Sequence, residues 1–199
     1  MTEVASKIAV SSAELHPLIA QRWSPRALDP TAELTDDQLR ALLEAARWAP
    51  SFGNTQPARY LVGRRGDETF GRVFEALTDR NKDWARNAAA LLLGVVVTRG
   101  DKGEIPYTDY GLALATENLV LQAVAEELVA HQMAGFDHEA ASRAFELPED
   151  VQPRIVVAVG RSGDPERLPE RMRDRELAPR NRLPLAELAF AGRWGRPAF

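Results

Sequence analysis

Apolar positions recur along the chain with two periods, and their spacing predicts a series of helices and strands. Between Ser12 and Trp23, Leu15, Leu18 and Ile19 share one face, which predicts a helix with Pro17 in its first turns. Thr35 followed by Asp36, Asp37 and Gln38 is a capping-box arrangement, and Leu39, Leu42, Leu43 and Ala46 continue at helical spacing to Trp48. Ala58 to Gly63 predicts a short strand, Asp67 to Thr78 a helix on Phe70, Val73, Phe74 and Leu77, and Asn81 to Asn87 a short helix around Trp84. The run A-A-A-L-L-L-G-V-V-V-T, Ala88 to Thr98, is continuously apolar, as in a central strand covered on both faces. Arg99 to Tyr107 is a loop, and Thr108 to Ala130 is the longest helical pattern, with Leu112, Ala115, Leu119, Val120, Ala123, Val124 and Leu128 covering more than one face. A helix apolar nearly all round is buried centrally or by a second subunit, and we favour a second subunit here. His131 to Phe136 is extended, Asp137 caps a helix to Phe145, and Pro153 precedes a strand over Arg154 to Gly160. The Pro-, Arg- and Glu-rich stretch from Gly163 to Arg182 gives way to an apolar, aromatic end, which fits packing on another subunit.

Strands near 58–63, 88–98, 130–135 and 154–160 separated by helices give a mixed α/β or α+β architecture with one central sheet. No linker or repeat divides the 199 residues, so 1–199 is taken as a single domain. A hydrophobic share of 45% with 27% charged residues indicates a folded chain. The net charge of -4 gives no general attraction to nucleic acid or to an anionic membrane. With no cysteine, thiolate metal sites, iron–sulfur clusters, disulfides and a catalytic thiol are excluded. His16, His131 and His138 are scattered, and no metal site is expected. No run reaches the roughly eighteen apolar residues of a membrane span. The N-terminal M-T-E-V-A-S-K-I-A-V lacks a signal-length apolar stretch, so a cytoplasmic location is expected. The glycine patterns of dinucleotide and nucleotide-triphosphate loops, and the serine-hydrolase elbow, are missing.

Two polar stretches carry candidate chemistry. Ala49 to Val62 joins a helix to a strand through Pro50, Ser51, Phe52, Asn54, Gln56 and Pro57, either as an ordinary connection or as a loop offering hydroxyl and amide groups to a ligand. In R-W-S-P-R, Arg22, Ser24 and Arg26 alternate with Trp23 and Pro25, so an extended backbone sends them to one side. That set suits a phosphate or another anion; the alternative is solvated arginines paired with nearby acids.

Taken together, five motifs in order resemble the FMN-dependent nitroreductase family. They are R-W-S-P-R, A-P-S-F-G-N-T-Q-P, D-Y-G-x-A-x-x-x-E-N-L-x-L-x-A, A-G-F-D and R-N-R-L-P, and they span about Leu15 to Phe199. The resemblance implies an α+β homodimer with a mostly antiparallel central sheet flanked by helices, the long central helix at the interface, and FMN bound there. It implies that Arg22, Trp23, Ser24 and Arg26 hold the flavin, with Arg180 and Arg182 closing over its phosphate. Pro50, Ser51, Phe52 and Asn54 would line the flavin from the other subunit, and Asn81 would bond the ring. Gln132, Met133, Ala134 and Gly135 would lie beneath the ring, with a backbone N–H toward N5. The implied activity takes hydride from NADH or NADPH and delivers electrons to a nitroaromatic, quinone or similar conjugated acceptor in a ping-pong cycle. Reductive dehalogenation, enoyl-type reduction and a flavin carrier or sensor without turnover are the alternatives. No side chain is assigned a catalytic proton transfer, since the flavin itself carries the hydride chemistry. Ala134 stands where many members have glutamate, which leaves only a backbone role. The short connection from Arg99 to Tyr107 implies a more open site.

Overall fold

Each cap and each break in the apolar pattern marks a turn of the chain in the computed structural model, which describes residues 7–199; the signal-peptide reading of residues 1–6 lies outside the described residues. The elements are α1 (Pro17–Gln21), α2 (Asp36–Arg47), β1 (Ala58–Arg64), α3 (Glu68–Ala76), α4 (Asp79–Ala85), β2 (Ala90–Val97), β3 (Arg99–Gly100), β4 (Gly103–Glu104), α5 (Thr108–Ala125), β5 (Val129–Met133), α6 (His138–Ala144), β6 (Val151–Gly160), α7 (Glu170–Leu177) and α8 (Leu185–Leu188). Four strands make the main sheet in the order β1-β2-β6-β5, every neighbouring pair antiparallel. This is the α+β arrangement expected from the pattern of strands and helices.

The unbroken apolar run of β2 is explained by its two neighbours and two covered faces. Leu91, Leu93 and Val95 pack into one core with Phe70, Val73, Trp84 and Met133, whereas Ala90 and Leu92 pack into a second with Leu39, Leu42, Leu119 and Val120. Alternate side chains of a strand leave opposite faces, so helices α3 and α4 cover one side and α2 and α5 the other. The capping box at Thr35 forms as expected, with the Thr35 side chain accepting from Gln38 N–H and the Gln38 side chain accepting from Thr35 N–H. Asp67 and Asp137 likewise cap α3 and α6.

Four boundaries differ from expectation. The first helix covers only Pro17–Gln21, capped by the His16 imidazole, and buries none of its residues. Proline fits the first helical position but not the interior, so the pattern from Ser12 cannot be one helix. The long helix stops at Ala125 because Glu127 adopts φ 56°, and Leu128 N–H then bonds Ala123 C=O at 2.8 Å. This is a Schellman closure made by glutamate in place of the usual glycine, and apolar Leu128 and Val129 beyond it hide the break from any periodicity argument. Pro153 lies inside β6, whose pairing with β2 shifts between Gly94 and Val95. β5 pairs only from Val156 onward, so proline occupies a stretch with one open flank. Finally, the Arg- and Glu-rich stretch contains α7, which polar composition alone concealed.

Candidate functional site

The R-W-S-P-R segment leaves α1 as an extended strap and runs toward the outer edge of the sheet, where β5 lies. Two contacts fix it there. Pro25 C=O lies 2.9 Å from His131 Nδ1 on β5, and Arg26 and Ala27 N–H donate to the carboxylate of Glu176 on α7. Arg22 Nη1 donates to Ser24 Oγ at 3.3 Å, so these two side chains meet as their alternation suggested. Lys7 Nζ lies 5.0 Å over the Trp23 ring.

The C-terminal arginines come to the same place. Arg180 Nη1 donates to Lys7 C=O and Ala20 C=O at 2.8 and 2.9 Å, which ties the tail to both limbs of the N-terminal segment. Burial, followed by the charges of Arg22 and Arg182, pushes the Arg180 guanidinium below the usual arginine range. Among the described residues, Arg22, Arg26, Arg180 and Arg182 make no ion pair within 4.0 Å. The guanidinium groups of Arg22 and Arg182, which both repel that of Arg180, form with it a group without carboxylate partners among the described residues, matched to an anion that accepts several charged hydrogen bonds.

His131 lies beneath the strap, buried and with its ring 4.6 Å from that of Trp84. A backbone carbonyl only accepts, so the neutral ring carries its proton on Nδ1. Burial lowers the imidazole pKa to about 4; the Pro25 carbonyl opposes the shift and the charges of Arg26 and Arg22 reinforce it. Because the folded value lies below the unfolded one, the stabilising effect is complete above about pH 6.5 and is lost as pH falls toward 4. The difference corresponds to about 3 kcal/mol. Thermal melts across this window should show a wild-type loss that His131→Gln, which cannot titrate, lacks; parallel losses in both proteins would remove His131 as the cause.

At the end of β5 the chain turns through Gly135. Its carbonyl accepts from Asn81 Nδ2 at 2.9 Å and from Thr78 N–H at 3.1 Å, whereas its own N–H has no hydrogen-bond partner among the described residues. A Cβ at this position would lie 2.8 Å from Asn81 Nδ2, so glycine is what permits the close approach. Asn81 and Gly135 thus adjoin: one Asn81 amide N–H is engaged by the Gly135 carbonyl, and the second N–H and the side-chain oxygen stay available. Ala134 is exposed, Met133 belongs to the core, and Gln132 faces a groove of about 460 Å³ with Thr116, Glu117 and Arg154.

The loop from Pro50 to Pro57 lies elsewhere. It feeds β1, the opposite edge of the sheet from β5, so two strands separate it from the arginines. At about 4.8 Å per strand this is roughly 14 Å across the sheet. The loop is tightly built, with Ser51 Oγ accepting from Gln56 N–H at 2.9 Å and Gly53, Asn54 and Gln56 all at positive φ. Pro57 seats it on α5, where a Cβ at Gly111 would fall 2.8 Å from Pro57 Cγ. The Phe52 and Tyr107 rings meet at 5.1 Å, tilted by 55°, and with Tyr110 stay largely exposed. One chain therefore gathers the strap, the tail and the Asn81–Gly135 turn on one side, and leaves Pro50, Ser51, Phe52 and Asn54 on another.

Sequence reasoning missed Glu176 and Lys7. Lys7 gave no signal, and the only trace of Glu176 was its position one turn after Met172 in an otherwise charged helix.

The nitroreductase family model matches residues 19–161. An uncharacterised 15.4 kDa protein from the ask 5' region of Mycolicibacterium smegmatis is 39% identical over 147 residues, which cover 70% of this chain and 99% of that protein. Protein DrgA of Synechocystis sp. is 28% identical over 76% of this chain and 90% of its own length. Among solved structures, an oxidoreductase containing FMN superposes with a TM-score of 0.87 at 32% identity, covering 93% of this chain and 95% of that one. An FMN complex of a nitroreductase from Desulfovibrio desulfuricans shares the fold with a TM-score of 0.70 at 24% identity, covering 91% of this chain and 99% of its own.

Proposed function

This chain belongs to the nitroreductase family, and from that premise we propose that it is a homodimeric, FMN-dependent oxidoreductase that uses NADH or NADPH. The observation carrying the proposal is the cluster of Arg22, Arg180 and Arg182, which lacks carboxylate partners among the described residues and lies at the edge of the same strand that ends in the Asn81–Gly135 turn. The residues present fit the cofactor. Burial first, and then repulsion from Arg22 and Arg182, holds Arg180 below its usual range; a phosphate monoester would offset the repulsion, and the unpartnered Gly135 N–H offers a donor on the order of 10 Å along the strand.

Arg22, Ser24, Arg26, Arg180 and Arg182 would hold the phosphate end, and the backbone of Gln132 to Gly135 with the Asn81 side chain would orient the ring. Bound FMN supplies the redox chemistry, accepting hydride from the nicotinamide and reducing a nitroaromatic, quinone or similar conjugated acceptor in a ping-pong cycle. The protein's share is to bind, to orient and to place a backbone donor, with no side-chain proton transfer required. Ser51, Phe52 and Asn54 would complete the site from the second subunit, since within one chain they lie at the far edge of the sheet. A second copy also accounts for the outer stripe of α5 through Tyr110, Leu114, Leu121 and Val124, and for Leu188, Trp194 and Phe199, which one chain leaves exposed or half-covered.

Purified protein should be yellow, release FMN on denaturation and run at twice the monomer mass. Under anaerobic conditions, NADH or NADPH should bleach it and a nitroaromatic should restore the colour. Colourless protein that takes up no added FMN removes the flavin reading, and stable bound FMN that neither nicotinamide bleaches removes the enzymatic one.

A further inference from the structure

Glu176 is buried to 2% exposure, in a helix whose other charged residues face solvent or lie half-covered. A carboxylate removed from water requires compensation, usually from a cation. Glu176 makes no ion pair within 4.0 Å among the described residues. It is satisfied by backbone instead: Oε1 accepts from Arg26 and Ala27 N–H, both at 2.9 Å, and Oε2 accepts from Arg26 N–H at 3.1 Å. Arg26 and Lys7 supply favourable charges.

The consequence lies in the connectivity. The bonded amides belong to the strap that bears Arg22, Ser24 and Arg26, and Glu176 itself stands four residues before Arg180 and six before Arg182. One carboxylate therefore joins the two halves of the arginine cluster, about 150 residues apart in the chain. We propose that Glu176 is a positioning residue of the anion site. It holds the strap against α7 so that the N-terminal and C-terminal arginines converge on one phosphate, and it does so through backbone hydrogen bonds that leave the guanidinium groups unpaired. A lysine or arginine partner for Glu176 would have fixed α7 equally well; amide donors fix the strap as well. The inference rests on the reading of the cluster as a cofactor-phosphate site.

The experiment compares FMN, riboflavin and inorganic phosphate on the wild type, Glu176→Ala and Glu176→Gln, with flavin affinity read by fluorescence quenching and phosphate by the shift in melting temperature. Riboflavin lacks the phosphate, so it reports the ring site alone. Glu176→Ala should lose about tenfold or more in FMN affinity with less than about threefold change for riboflavin, and its phosphate-induced stabilisation should vanish. Glu176→Gln keeps one carbonyl oxygen for both N–H groups and should return FMN affinity to within about threefold of wild type. Equal losses for FMN and riboflavin, or a glutamine variant no better than alanine, overturn the positioning role. If the alanine variant does not fold, Glu176→Asp retains the charge but withdraws it by one methylene, and an unchanged FMN-to-riboflavin ratio there overturns the proposal. A wild type that binds neither flavin yet is stabilised by phosphate in a Glu176-dependent way refutes the flavin reading and leaves the positioning role standing; no response to any of the three probes removes both.

Discussion

Gly63→Ala should cost more than about 3 kcal/mol of the roughly 5–15 kcal/mol that a domain of this kind commands, a large downward shift of the unfolding midpoint. Gly63 sits in β1 directly under α3. A Cβ built there would lie 2.2 Å from Phe70 N and 2.5 Å from Phe70 Cα. Both atoms are backbone, so no rotamer change can make room. α3 would have to lift off, uncovering Phe70 and Val73, or β1 would have to shift against β2, where Gly63 pairs with Leu91. Either response opens the same core. Gly71, inside α3, is the control, because a Cβ there meets nothing within 4 Å. Gly71→Ala should leave stability unchanged or raise it by about 0.5–1 kcal/mol through helix propensity. Urea denaturation of the two variants beside wild type decides the matter, and a Gly63→Ala midpoint close to that of wild type would mean that α3 does not lie where it is placed.

The second large effect concerns the arginines. Arg22→Ala and Arg182→Ala should each weaken FMN binding by about 1–3 kcal/mol, roughly fivefold to 150-fold, the range expected for a lost charged hydrogen bond. The cofactor-free protein should respond differently. Arg22 and Arg182 both push Arg180 below its usual range, and neither has an ion-pair partner among the described residues, so removing either should not lower the melting temperature of the apoprotein. Affinity and apoprotein stability thus separate, which a general disruption of the fold would not produce. Calorimetric titration with FMN, paired with melts of flavin-free protein, measures both. Unchanged FMN affinity in both variants would show that the phosphate binds elsewhere. The double variant should fall short of the sum of the two single effects, because the side chains belong to one cluster.

What could be read from the residues divides along a physical line. Local signals survived intact: the Thr35 capping box, the Asp137 cap, the doubly buried β2 run and the meeting of Arg22 with Ser24 depend on neighbours close in sequence or on simple burial. Signals that depend on distant partners did not. The end of α5 is set by a left-handed glutamate inside a continuing apolar run, and residues 12–16 share apolar spacing with a helix that Pro17 prevents them from joining. Glu176 looked like one more solvated acid in E-R-M-R-D-R-E-L, because nothing in that helix records that the amides of Arg26 and Ala27 will meet it. The separation of the Ser51 loop from the arginine strap follows from strand order, which element spacing does not determine.

That strand order carries a consequence for how the protein is made. The strap is synthesised early and the last strand of the sheet ends at Gly160, but Glu176, Arg180 and Arg182 are added only afterwards. During vectorial synthesis all four strands of the main sheet are complete before Glu176, Arg180 and Arg182 emerge, so on the proposed reading the phosphate end of the site would be finished last. A chain cut after Gly160 keeps every strand and loses the clamp and both C-terminal arginines. On the proposed reading, flavin retention would therefore report on the integrity of the tail.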